Sequence, residues 1–167
     1  MSQAAQQSPI TTIDDEWVTT FEPLDLDECW ELIGVAAVTG VGRVGFTGAD
    51  GPQVLPVNFA VARRSIVLRT AGSTMLAALG TGSDVAFEVD HLQPGHRTGW
   101  SVVVHGRMWP LHDPDRLLDD DVLRLHPWAA GNRDQWLRIV PGSVTGRAIC
   151  RRRLPADGVP LPYMLPD

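Results

Sequence analysis

The stretch RTAGSTM, residues 69–75, gathers the groups a phosphate needs: a guanidinium at Arg69, hydroxyls at Thr70, Ser73 and Thr74, and backbone N–H groups around Gly72. It follows the apolar run SIVL, so it reads as the end of a strand entering a helix. A helix start offers free N–H donors to an anion, and a nearby cation offsets the cost of desolvating it. The same Ser73 or Thr74 also serves as an ordinary helix cap, and on residue types alone capping is the commoner use.

Other reactive side chains are less promising. Ser101 and His105 share a face of the strand WSVVVHGRM, but four residues of strand hold them about 13 Å apart at ~3.3 Å per residue, too far for a Ser–His dyad. His91 and His96 flank a loop containing Pro94 and Gly95 without HxxxH or HExxH spacing, so no metal is expected. Glu88 and Asp90 fall on one strand face, as catalytic carboxylates do, and equally as the solvent side of a half-buried strand does. Cys29 and Cys150 belong to no CxxC pattern and read as reduced thiols. No catalytic acid or base stands out.

Composition limits the partners. Twenty acidic residues face 14 basic ones, all arginines, for a net charge of −6, which argues against a nucleic-acid or anionic-membrane surface. Any anion site must be local. Neither a signal peptide nor a membrane-spanning run is visible, so a cytoplasmic protein is expected.

The elements that would position these residues are short. Residues 1–22 read as a flexible polar arm, a mobile tail or a loosely docked segment, 23–154 as one domain, and 155–167 as an irregular Pro-rich tail. Asp25 or Asp27 can cap a helix over Leu26–Val35. Strands are expected at Val44–Thr47, Val54–Ala60 and Ile66–Thr70, with turns at Ala49–Pro52 and Ala62–Arg64. A helix over Thr74–Leu79 follows, then strands at Asp84–Asp90 and Trp100–Met108 and a short helix from Asp113 to about Leu123. Strands at Trp136–Val140 and Val144–Cys150 complete the domain. Many short strands with small helices between them predict a mainly β chain folded as a closed or nearly closed antiparallel barrel.

The ordered blocks GRVGF, GPQVLPVNFAV, SIVLRTAGSTMLAAL, VAFEVD, TGWSVVVHGRM and DQWLRIVPGSVTGR span about Asp25 to Arg147. Together they resemble the pyridoxamine 5′-phosphate oxidase-like, flavin-binding split-barrel family, most of all its actinobacterial-type branch that uses FMN or the deazaflavin F420. The resemblance implies an antiparallel six-stranded split β-barrel and a homodimer whose second subunit completes the groove for the ring. It implies that the ring's polar edge lies near Pro56, Val57 and Asn58, and the phosphate near Arg69, Thr70, Ser73 and Thr74. Trp100 and Ser101 would border the cofactor, often from the partner chain, and Trp136 and Arg138 would reach the same groove. Related sequences carry Gly-Ser-Lys or Gly-Thr-Lys where this one has Gly-Ser-Thr, so one cation is missing. A lost charge-assisted contact is worth ~1.5–3 kcal/mol.

The function so implied is hydride transfer between FMN or F420 and a small organic substrate. The alternative is a non-catalytic split barrel, a binding or carrier protein with weak flavin affinity. Oxidation of pyridoxamine phosphate itself is disfavoured, because a second phosphate ester would call for a second convergent basic cluster.

Overall fold

Alternation along the strands decides the architecture. Val85, Phe87 and Val89 are buried while the alternating Asp84, Ala86 and Glu88 are not, and Val102 and Val104 repeat the pattern on the neighbouring strand. Two-faced strands of this kind must turn their apolar sides onto one another, and a ring of strands does so without leaving an edge. A computed structural model describes residues 11–14, 17–38, 40–71, 82–112, 122, 125, 128 and 133–153.

The chain forms β1 (Thr11–Asp14), β2 (Trp17–Leu24), α1 (Leu26–Ala37), β3 (Val41–Gly48), β4 (Gly51–Val61), β5 (Ile66–Thr70), β6 (Ser83–Gln93), β7 (Thr98–Pro110) and β8 (Gln135–Arg153). All pairings are antiparallel. Going round, β3, β4, β5, β8, β7 and β6 each pair with the next, and β6 returns to β3. This closed ring is the expected mainly β, six-stranded barrel.

Two expectations are corrected. The stretch expected to be a flexible arm contains paired strands: β2 lies along β8 from Trp17 opposite Arg153 to Leu24 opposite Gly146, and β1 pairs with β2. Threonines, Val18 and Phe21 suit a pleated surface, and the Arg151 guanidinium sits 4.6 Å from the Trp17 ring centroid, so a polar composition here did not mean a free chain. The two strands expected at Trp136–Val140 and Val144–Cys150 are one strand of 19 residues. Pro141-Gly142 does not end it, because a register shift between His105 and Gly106 of β7 absorbs the irregularity. The expected helix at Thr74–Leu79, most of the one at 113–123, and the tail 155–167 lie outside the described residues.

The interior holds Phe59, Phe87, Ile66, Leu68, Met108 and Ile139, with Phe59 and Phe87 edge to face at 4.8 Å between centroids. Helix α1 adds Cys29, Trp30 and Ile33 to this core. Its start is fixed by a reciprocal pair: the Glu28 N–H donates to the Asp25 carboxylate (2.8 Å) and the Asp25 N–H donates to the Glu28 carboxylate (2.7 Å). At Gly146 of β8 a Cβ would lie 2.6 Å from Cys29 Sγ, so glycine is what lets the helix approach.

Candidate functional site

The chain turns from β4 into β5 through Arg63-Arg64, both in the left-handed region (φ 49° and 54°), with Ala62 and Ser65 exchanging backbone hydrogen bonds. From there the ladder runs through Val61–Ile66 and Ala60–Val67 and stops at Phe59–Leu68. In that register Asn58 and Arg69 would be the next pair. Instead β4 stays with β3 (Asn58 opposite Val41, Pro56 opposite Arg43) and β5 stays with β8 (Arg69 opposite Trp136, Thr70 opposite Gln135). The two strands part, and the cleft between them has Pro56, Val57 and Asn58 on one lip and Arg69 and Thr70 on the other.

Phe59 and Leu68 point into the barrel, so their neighbours Asn58 and Arg69 point out. Asn58 Nδ2 donates to the Gly40 carbonyl (3.1 Å), and its Oδ1 accepts from the Trp128 N–H (2.8 Å). Arg69 donates from Nε to the Arg133 carbonyl and from Nη1 to the Leu125 carbonyl, each at 3.0 Å, with its guanidinium 4.8 Å from the Trp136 ring centroid. Both lips therefore bond to residues between β7 and β8, namely Leu125, Trp128 and Arg133. Of five guanidinium N–H groups Arg69 commits two to these carbonyls. Val57 packs on the barrel core and presents backbone, not side chain, to the cleft; Pro56 is exposed and Thr70 is buried. On β8, Arg138 donates from Nη2 to Ser65 Oγ (2.9 Å), while its Nε is buried with no acceptor among the described residues.

Ser73 and Thr74 lie outside the described residues. Trp100 and Ser101 stand opposite Ala148 and Arg147, eleven positions along β8 from Trp136, or roughly 35 Å at ~3.3 Å per residue. A single subunit does not bring them to Arg69. Trp100 packs against the main core, its ring 6.4 Å from that of His91.

The remaining candidates have structural partners or none. Glu88 and Asp90 are both ion-paired with Arg43 across the sheet, at 3.0 and 2.9 Å, and these bonds raise the Arg43 pKa. The acids thus form a charge strip. His91, His96 and His105 are exposed, and no group of metal-ligating side chains occurs among the described residues. Burial pushes the Cys29 thiol up, helped by Glu28 and Asp25; burial also raises Cys150, helped by Glu22. No helix among the described residues is long and apolar enough to cross a membrane.

Sequence reasoning missed Arg43 and Trp128. The alternation of Arg43 with inward Val44 was a usable signal for the first, whereas nothing local tied Trp128 to Asn58, 70 residues away. It also missed a groove of about 950 Å³ on the outer face, where Val54, Gly45, Ala86, His105 and Ser143 form a row across five strands.

A planar ring with a polar edge suits the cleft. Among the described residues β4 has no strand on its β5 side from Pro56 to Asn58, which leaves backbone donors and acceptors for such an edge.

Comparison with known proteins agrees with this architecture. The family profile described as pyridoxamine 5′-phosphate oxidase matches residues 25–148. The uncharacterized protein Rv0080 of Mycobacterium tuberculosis is 37% identical over 138 residues, covering 79% of this chain and 88% of that protein. A structure of an FAD binding protein from Mycobacterium smegmatis superposes with TM-score 0.57 at 27% identity, covering 77% of this chain and 97% of that one. A Corynebacterium glutamicum structure, provisionally named a pyridoxamine 5′-phosphate oxidase, gives TM-score 0.63 at 31% identity, covering 82% and 96%.

Proposed function

The chain belongs to the pyridoxamine 5′-phosphate oxidase family, and on that footing we propose that it holds a flavin-type cofactor, FMN or F420, in the cleft between β4 and β5. It does so as a cytoplasmic homodimer and moves a hydride between the ring and a small organic substrate. The observation that carries the reading is the parting of β4 from β5 at Asn58 and Arg69. The name of the Mycobacterium smegmatis relative, an FAD binding protein, adds support for a flavin.

In this reading the cofactor supplies the redox chemistry, and the chain orients the ring and excludes water. Backbone of Pro56–Asn58 meets the ring's polar edge. Arg69, Thr70, Ser73 and Thr74 hold the phosphate, with Trp136 keeping the Arg69 guanidinium in place. Trp100 and Ser101 come from the partner, because within one subunit these β7 residues stand opposite the part of β8 remote from Trp136.

One observation favours the second reading, a binding or carrier protein: Arg69 already commits two donors to carbonyls of its own chain, and no lysine follows Ser73. The two readings separate on purification without added cofactor, followed by a visible spectrum and titration of the protein with FMN, FAD and F420. Saturable binding of one of them is expected. A well-folded protein that binds none would overturn the cofactor reading. Thr74→Lys restores the missing cation and is expected to tighten binding about tenfold to a hundredfold, read by the same titration.

A further inference from the structure

We propose that Trp128 is an aromatic wall of the cofactor cleft, stacking on the tricyclic ring, and that Asn58 acts as the positioning residue that places it; this rests on the cofactor reading above. The argument begins with Asn58. Its amide donates to the Gly40 carbonyl and accepts from the Trp128 N–H, so the side chain is occupied in tying two backbone segments to the cleft lip. An amide engaged in this way recognises the ring poorly by itself, but it fixes where Trp128 begins.

Trp128 is 75% exposed, an unusual state for an indole whose own backbone is anchored. The lip beside Asn58 carries an exposed valine. Val41, directly opposite Asn58 on the outer face, is 37% exposed, and Val38 just before it is also exposed. An exposed indole whose backbone is tied to Asn58, and a valine opposite Asn58, suit a flat heteroaromatic system with polar atoms along one edge and π-faces above and below. FMN, FAD and F420 share such a ring. Trp136 cannot take this role with the face that the Arg69 guanidinium covers.

The test uses flavin emission, which an indole in ring-to-ring contact quenches and a phenyl ring does not. Wild type, Trp128→Phe, Trp128→Ala, Asn58→Ala and Asn58→Asp are titrated separately with FMN, FAD and F420. Trp128→Ala is expected to weaken binding about tenfold. Trp128→Phe restores most of that affinity, yet the bound ring becomes brighter than in wild type. Asn58→Asp keeps the acceptor for the Trp128 N–H but loses the donor to the Gly40 carbonyl, so it is expected to bind more tightly than Asn58→Ala and less tightly than wild type. Asn58→Ala matches Trp128→Ala, and the double variant is no weaker than either alone. Unchanged affinity in Trp128→Ala, or unchanged quenching in Trp128→Phe, overturns the role of Trp128 while leaving the cofactor reading standing. Absence of binding by wild type overturns both.

Discussion

Arg69 and Arg138 occupy the outer faces of neighbouring strands and differ in how fully they are satisfied. Arg69 closes two hydrogen bonds to carbonyls and lies over Trp136, so Arg69→Ala leaves two acceptors short and a ring uncovered. The expected loss is about 1–3 kcal/mol of unfolding free energy, measured with urea. Arg138 holds Ser65 but leaves Nε buried and unmatched among the described residues, and Arg138→Met removes that donor along with one bond. It is expected to change stability by less than about 1 kcal/mol. A large loss from Arg138→Met would mean that the guanidinium supports the hairpin more than its bonds indicate. Cys29 gives a pH prediction. Its folded pKa is raised by burial and by Glu28 and Asp25, so the native state holds the proton more tightly than the unfolded chain does. The resulting stability is complete below the unfolded value of about 8.5 and declines as pH rises through the folded value. Urea midpoints should fall between pH 8 and 10, and Cys29→Ala, compared with itself at pH 7, should flatten that fall.

At the scale of elements, β8 carries the architecture, pairing with β2, β5 and β7 along its length. At Gly146 it leaves room for Cys29 of helix α1 and for Leu24. Gly146→Ala puts a methyl group 2.6 Å from Cys29 Sγ and is expected to cost about 1–3 kcal/mol, read as a lower urea midpoint with an unchanged slope. The unity of β8 was not legible in the sequence, because Pro141-Gly142 has the chemistry of a turn, whereas in the ladder Gly142 is one extra β8 residue bulged out opposite His105 and Gly106 of β7. The inward faces of β6 and β7 were legible, since Val85, Phe87, Val89, Val102 and Val104 repeat at strand period. For the site, local chemistry identified Arg69 and the family blocks identified Asn58. The parting of β4 from β5 between them depends on where β3 and β8 hold each strand. Trp128 was hidden for the same reason: its link to Asn58 spans 70 residues.

The whole molecule decides whether the proposed site is complete. Arg69 and Ser101 lie near opposite ends of β8, so if both border one cofactor, they must come from different subunits. An isologous dimer then holds two equivalent sites, each built from both chains. Arg69→Ala weakens the phosphate side of both sites in its own dimer. Ser101→Trp places a bulky but strand-compatible side chain on an outward position and blocks the ring side of both. Neither homodimer should bind flavin well. When the two variants are unfolded together and refolded in equal amounts, about half of the dimers are hybrids, and in each hybrid one site carries both substitutions while the other carries neither. About a quarter of all sites should therefore bind with wild-type affinity, counted by flavin titration of the mixture. Recovery of that fraction requires a shared site. No recovery, from a mixture shown to contain hybrids, would place Arg69 and Ser101 in the same site of a single subunit or exclude one of them from the cofactor altogether.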